Sequence, residues 1–228
     1  MLEIKKLSVS FAGRPVLQDL DLTVAAGKVH GIIGLNGAGK STFFNVLSSV
    51  VKPENGEIIF NGKPLKYTDI AYLETTNFFY PNLTGREYLN IFPKTNKDFD
   101  LIAFEQILQL QLDLLIETYS TGMKKKLALL AMLQQNKPVF VLDEPFNGLD
   151  LESNRTLEMI VELLRQKGKT VLISAHILEP LLHTCNQIHL LQNGRFVQTF
   201  GEAEFPFIRE KLFAQLNQDL QSQLKKAL

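Results

Sequence analysis

GLNGAGKS, residues 34–41, is the stretch on which the reading of this chain turns. It matches G-x-x-x-x-G-K-[ST], follows the apolar segment VHGIIG at 29–34 and opens STFFNVLSSVV at 41–51. A glycine loop between a strand and a helix is the context this motif requires. Gly34, Gly37 and Gly39 let the backbone curl, so that N–H groups of the loop, including those of Leu35, Asn36 and Ala38, point at phosphate oxygens. The helix N-terminus adds a partial positive charge. Lys40 supplies a point charge for β- and γ-phosphates, Ser41 a hydroxyl for Mg²⁺, and Thr42 closes the cradle.

About a hundred residues later comes FVLDEP, 140–145, a continuous apolar run that ends in two acids. Such a run suits a parallel strand buried on both faces. In open α/β sheets the ligand crevice lies at the carboxyl ends of the strands. Asp143 is therefore expected to hold the Mg²⁺ that Ser41 contacts. Glu144, on the other side of the strand, is expected to orient or deprotonate an attacking water.

The surrounding pattern supplies the frame. Residues 2–11 and 16–24 alternate as strands, 29–34 is a short buried strand, 39–51 a helix and 57–60 a strand before an NGK turn. Residues 86–118 carry helical spacing, and 122–135 is a further helix. Strand 139–144, helix 151–167, strand TVLISAH at 170–176 and helix 178–184 follow. IHLLQNGRFVQTF at 188–200 reads as a hairpin turning at Asn193-Gly194. Ile208, Leu212, Leu216, Leu220, Leu224 and Leu228 stand four apart, so 205–228 is expected to be an amphipathic helix packing on its own domain. The expected fold is an α/β P-loop NTPase core with a mostly parallel sheet, an N-terminal antiparallel β-subdomain and an inserted helical subdomain over about 80–135. All of this lies in one nucleotide-binding domain over 1–228.

Composition agrees. The 228 residues are 45% hydrophobic and 21% charged, as in ordinary globular domains. Lys+Arg and Asp+Glu both number 24, so no global bias toward nucleic acid exists and any anion site is local. The lone cysteine, Cys185, excludes an intramolecular disulfide framework and reads as packing in a reducing compartment. No apolar run reaches the roughly 18 residues of a membrane span, and the charged MLEIKKLSVSF start reads as no signal peptide. A cytoplasmic domain is expected. Lys124–Lys126 read as a solvated helix face, and His30, His183 and His189 lack metal-ligand spacing.

Together these motifs resemble the nucleotide-binding subunits of ATP-binding cassette (ABC) transporters, from Leu2 to about Phe200. YSTGM at 119–123 resembles the family signature, NGLD at 147–150 its D-loop with Asp150 as the acid, and TVLISAH its switch strand with His176 as the histidine. Phe11 stands where the family stacks an aromatic on adenine. The resemblance implies ATP and Mg²⁺ as ligands. It also implies a second nucleotide-binding subunit, expected to be another copy of this chain. Ser120 and Gly122 would face the γ-phosphate held by that other subunit. His176 would contact the γ-phosphate and steady Glu144 and the water; Lys40, Glu144 and His176 are the implied catalytic set. The membrane-spanning permease would be a separate polypeptide, which places this chain on the inner face of the cell membrane. YPNLTGREYL, YSTGMKKKL and NGLD resemble bacterial exporter subunits more than importers. The alternative is a soluble ABC ATPase of a cytoplasmic assembly system; co-purification with a membrane protein separates the two.

Two departures stand out. The family's Gln between core and helical block is missing: Thr75 aligns with it and is the candidate metal contact, while Glu74 lies one position earlier, and both remain open. In the signature, Thr121 replaces a Gly and Met123 a Gln. Some exporter subunits share this form.

Overall fold

In the computed structural model the described residues are 1–212. Strands β1 (Leu2–Phe11) and β2 (Arg14–Val24) form a hairpin, and β3 (Val29–Ile33) leads into helix α1 (Lys40–Leu47). Strands β4 (Asn55–Phe60), β5 (Lys63–Pro64) and β6 (Ile70–Leu73) precede the helical block of α2 (Gly85–Ile91), α3 (Leu101–Ile107) and α4 (Thr121–Leu133). Then come β7 (Val139–Leu142), α5 (Leu151–Gln166), β8 (Thr170–Ala175), α6 (Glu179–Thr184), β9 (Gln187–Gln192) and β10 (Arg195–Gly201).

Two sheets result. One has the order β2-β1-β4-β5 and is antiparallel; the other has the order β10-β9-β3-β8-β7-β6. In the second sheet β9, β3, β8, β7 and β6 run parallel, and β10 closes the edge antiparallel. β3 and β8 are buried along their whole length, as parallel strands covered on both faces must be. One core lies between the sheets around α1, with Phe43, Phe44, Leu17 and Leu172. The other lies under α4 and α5, with Leu130, Phe140, Leu157 and Ile173. This is the expected α/β architecture with an antiparallel N-terminal sheet. Among the described residues no helix is long and apolar enough to cross a membrane.

Several expectations are corrected. β6 was absent from the sequence reading: it is four residues long and gains strand character only from its parallel ladder with β7. Residues 86–118 are not continuously helical. Pro93 has no N–H and disfavours helix at Phe92, whose ψ is 147°, so α2 stops there. Asp100 then restarts the chain by capping α3 at Ala103 N, 3.0 Å away. The helix expected to reach residue 51 ends at Leu47, because Ser49 turns left-handed at φ 61°. Strand β7 ends at Leu142, so Glu144 is not on the strand. The tail expected as helix from 205 is a 3₁₀ helix over Glu202–Phe207 and α-helical over 208–212. Fully buried Ile208, with Phe205 and Leu212, packs on the domain's own core, and the remainder of 205–228 lies outside the described residues.

His30 on β3 and His189 on β9, assigned no role above, form a buried pair. His30 Nδ1 lies 3.0 Å from His189 Nε2, and His30 Nε2 lies 3.1 Å from the Ala25 carbonyl oxygen. His189 Nδ1 lies 2.9 Å from Thr199 Oγ1. One proton arrangement satisfies all four groups. The carbonyl can only accept, so His30 carries its proton on Nε2 and accepts on Nδ1 from His189 Nε2–H. His189 Nδ1 then accepts from the Thr199 hydroxyl. Both rings are neutral, and burial pushes them down to about 4 for His30 and about 3 for His189.

The unfolded chain therefore binds more protons than the folded one between the ordinary histidine value and these lowered ones. Stability is full above about pH 6.5 and falls as the pH drops toward 4, by up to about 1.4 kcal/mol per pH unit for each ring. Urea unfolding from pH 7.5 to 4.5 should show this loss in the parent. It should be much reduced in the double variant His30→Asn, His189→Gln, and equal slopes in the two proteins would refute it.

Candidate functional site

The carboxyl ends of β3, β7 and β8 bring three distant segments to one place. The registers Val29↔Val171 and Phe140↔Val171 align the strands, so the glycine loop after β3, the acids after β7 and the histidine after β8 emerge side by side.

The loop is built against its neighbours. Gly39 sits at φ 108°, and a Cβ there would lie 2.8 Å from Leu17 Cδ2 and 3.3 Å from the Val16 carbonyl oxygen; only glycine permits this approach to β2. The turn of the β9–β10 hairpin supports the other side. Gly194 N–H donates to the Ala38 carbonyl at 3.3 Å, and Gln18 N–H donates to the Gly194 carbonyl at 3.0 Å. A Cβ on Gly194 would collide with the Val16 carbonyl oxygen. Leu35, Asn36 and Gly37 are exposed, whereas Gly34, Ala38 and Gly39 are buried. Ser41 and Thr42 lie in the first turn of α1, where backbone N–H groups lack intrahelical partners and favour an anion.

Lys40 is 6% exposed. Its ammonium donates to the Gly34 carbonyl at 2.8 Å and the Leu35 carbonyl at 3.3 Å, and lies 3.8 Å from Glu144 Oε1. The other carboxylate oxygen, Oε2, accepts from Asn147 Nδ2 at 2.5 Å and lies 3.4 Å from His176 Nδ1. Lys40, Glu144 and His176 thus converge. Glu144 itself has φ 48°, a left-handed conformation that costs a non-glycine residue about 1–2 kcal/mol.

Asp143 is 1% exposed. Its Oδ1 accepts from the Ser174 hydroxyl, which in turn accepts the Glu144 N–H at 2.8 Å. Thr75 Oγ1 donates toward the main-chain carbonyl of Asp143 at 3.5 Å. Glu74 is exposed, and its charge adds to burial and Asp143 in raising Tyr72, and to burial in raising Tyr88. Among the described residues no cluster of three His, Cys, Asp or Glu could cage a metal. A buried carboxylate with a nearby hydroxyl is instead the sparse oxygen set that suits Mg²⁺ shared with substrate phosphates.

The remaining expected residues lie outside this cluster. Phe11 is half-exposed at the tip of the β1–β2 hairpin. Ser120 caps α4, accepting from Met123 N–H at 3.2 Å. A Cβ on Gly122 would be 3.6 Å from the Gly148 carbonyl oxygen, so the YSTGM segment abuts the NGLD loop. Asp150 caps α5, and the Ser153 N–H at 2.7 Å holds its carboxyl below the usual range.

Three residues escaped the sequence reading. Ser174 had a signal, a polar residue inside the apolar TVLISA strand. Asn147 had none beyond its place in NGLD. Lys125 was obscured by its neighbours: the expected solvated face of Lys124–Lys126 is wrong for Lys125, which is 8% exposed. It donates to the carbonyls of Glu144 at 3.0 Å and Asn147 at 2.7 Å.

Comparison with known proteins shows what the chain is similar to. The profile described as ABC transporter matches residues 17–147. The ABC transporter ATP-binding protein YtrB of Bacillus subtilis is 28% identical over 85% of this chain and 70% of its own length. The lantibiotic transport ATP-binding protein SrtF of Streptococcus pyogenes is 28% identical over 86% of this chain and 89% of its own. A solved ATP-binding subunit of an ABC transporter superposes with a TM-score of 0.85 at 28% identity, covering 95% of this chain and 99% of that one.

Ser174→Ala should strip a partner from both the Asp143 carboxylate and the Glu144 N–H. Unmet groups of this kind cost about 1–3 kcal/mol. Urea denaturation should register that loss together with reduced ATP turnover, and parental values for both would show that the bridge is dispensable.

Proposed function

The chain belongs to the ABC transporter family, and on that footing we propose that it binds and hydrolyses ATP to power a transporter. The observation that carries this reading is the convergence of Lys40, Glu144, Asn147 and His176 at the mouth of the glycine loop. In this reading Phe11 stacks on adenine, and residues 34–42 cradle the phosphates. Lys40 exchanges its loop carbonyls for β- and γ-phosphate oxygens, which releases Glu144 toward a water. Glu144 orients that water and accepts its proton, while His176 steadies the carboxylate and the γ-phosphate. Ser41 and Asp143 would hold Mg²⁺ with Thr75 alongside; bound there, it would neutralise charge on the transferring phosphoryl group.

Ser120 and Gly122 are exposed or half-buried and lie outside their own glycine loop's cluster. This supports a head-to-tail pair of identical subunits, each presenting YSTGM to the other's ATP. Exposed Phe78 and Tyr80, in edge contact at 5.2 Å, offer an apolar surface on the loop before α2. We assign that surface to a short cytoplasmic helix of a separate permease, which holds this chain at the inner face of the membrane. Export is the direction favoured, by the exporter-like segments and by the similarity to a lantibiotic transport protein.

Glu144→Gln should bind ATP as the parent does yet lose turnover by about 10²-fold or more, since the cradle is intact and proton acceptance is lost. The variant should also run as an ATP-dependent dimer in size exclusion. Parental turnover would exclude Glu144 as the reacting carboxylate. The missing Gln is probed by the ATPase rate against Mg²⁺ concentration. Thr75→Ala should need more Mg²⁺ for half-maximal rate than Glu74→Ala, because Thr75 stands beside Asp143. The reverse order would give the role to Glu74, and parental curves for both would leave the loop a coupling element only.

A further inference from the structure

The peptide of Glu144 is held from both ends by groups outside its own loop. Its N–H is taken by Ser174 at 2.8 Å, and its carbonyl by Lys125 at 3.0 Å. The grip on the carbonyl comes from α4, whose first residues follow Ser120 directly. Lys125 lies five residues past Ser120, roughly 7 Å along the helix axis.

Its environment is unusual for a lysine. It lines a narrow, mostly apolar cavity with Leu73, Leu108, Leu129, Leu149 and Leu157. No carboxylate within 4.0 Å pairs with it among the described residues, and its ammonium is spent on two backbone carbonyls. Burial lowers its pKa, opposed by the charges of Glu144 and Asp143. A cation in such a place costs free energy that packing alone would not require; leucine would fill the volume more cheaply. What the ammonium adds is a tie between α4 and a backbone that is itself strained, at φ 48°. It also fixes the carbonyl of Asn147, whose side-chain amide holds the Glu144 carboxylate at 2.5 Å. One ammonium thus sets both the peptide of Glu144 and the donor that aims its side chain.

We propose that Lys125 is a positioning residue for hydrolysis, tying the helix that begins at the YSTGM segment to the backbone and aim of Glu144. The inference rests on the reading of Glu144 as the reacting carboxylate and of Ser120 and Gly122 as contacts to ATP in the other subunit. Its consequence is directional. The helix seated on one ATP steers the carboxylate that acts on the other, so each site senses whether the opposite one is filled. Displacing α4 at Ser120 shifts Lys125 with it, because both belong to one hydrogen-bonded helix.

The test is a double-mutant cycle on the whole chain, read as single-turnover ATP hydrolysis with nucleotide affinity measured separately. Lys125→Met should lower kcat by about 10-fold or more and leave ATP affinity within about twofold. Lys125→Arg, which keeps the charge and the donors, should recover most of the loss. In the Glu144→Gln background, Lys125→Met should change the residual rate by less than about twofold, because its effect passes through the missing carboxylate. Should Lys125→Met fold poorly, Lys125→Gln, with an uncharged donor on a shorter stem, serves in the same cycle. Equal fold-losses in both backgrounds would overturn the proposal, as would lost ATP affinity with kcat kept. Parental turnover in Glu144→Gln alone would overturn the functional reading and this inference together.

Discussion

A single hydroxyl organises the reacting end of this molecule. Ser174, next to the end of the fully buried strand β8, donates to the Asp143 carboxylate and accepts the N–H of Glu144. These two hydrogen bonds tie β8 to the segment where the chain leaves β7 at Leu142 and Glu144 takes a left-handed turn. Had the strand continued, consecutive side chains would have pointed to opposite faces of the sheet. The break lets two adjacent acids serve one crevice. Asp143 stays buried at the strand end, while Glu144 reaches out to Lys40, Asn147 and His176.

The elements around this point supply fixed partners from separate directions. The glycine loop is pressed on β2 and on the β9–β10 turn, α4 reaches in through Lys125, and the NGLD loop contributes Asn147. Catalysis by positioning demands such rigidity, since small misplacements of a reacting group are expensive in rate. The antiparallel N-terminal sheet has a comparable role. Its β2 strand is the surface that Gly39 must approach, so the β-subdomain helps to shape the phosphate loop.

Much of this was legible in the residues. The glycine loop, the acid pair and the β-hairpin at 188–200 carry local signals that tertiary structure did not override, and the order of motifs pointed to the family. What escaped depended on partners distant in sequence. β6 has four residues and becomes a strand only beside β7. The break between α2 and α3 was announced by Pro93 and Asp100, yet the leucine and isoleucine spacing across 86–118 masked it. Lys125 sits in a run of three lysines, and charge patterning cannot tell which member turns inward; only the carbonyls of Glu144 and Asn147 single it out. His30 and His189 lie 159 positions apart, so their proton chain existed in no local pattern. Alignment on the sequence favours Thr75 over Glu74 for the place of the missing Gln, and the structure adds a contact of Thr75 with the Asp143 carbonyl that no local pattern announces.

The turn at Asn193-Gly194 illustrates how misleading a hairpin tip can be. Tips of exposed β-hairpins are where protein engineers place epitope tags, fluorophores and inserted domains, because such positions usually tolerate added chain. Here the tip is bonded to Ala38 and Gln18, and Gly194 lies flush on the Val16 backbone. A reporter grafted there would lift the floor from beneath the phosphate loop, some 155 residues upstream in the chain, whereas a side chain added at Gly62 in the β4–β5 turn would meet open space, the neighbouring Asn61 being bonded to Met1.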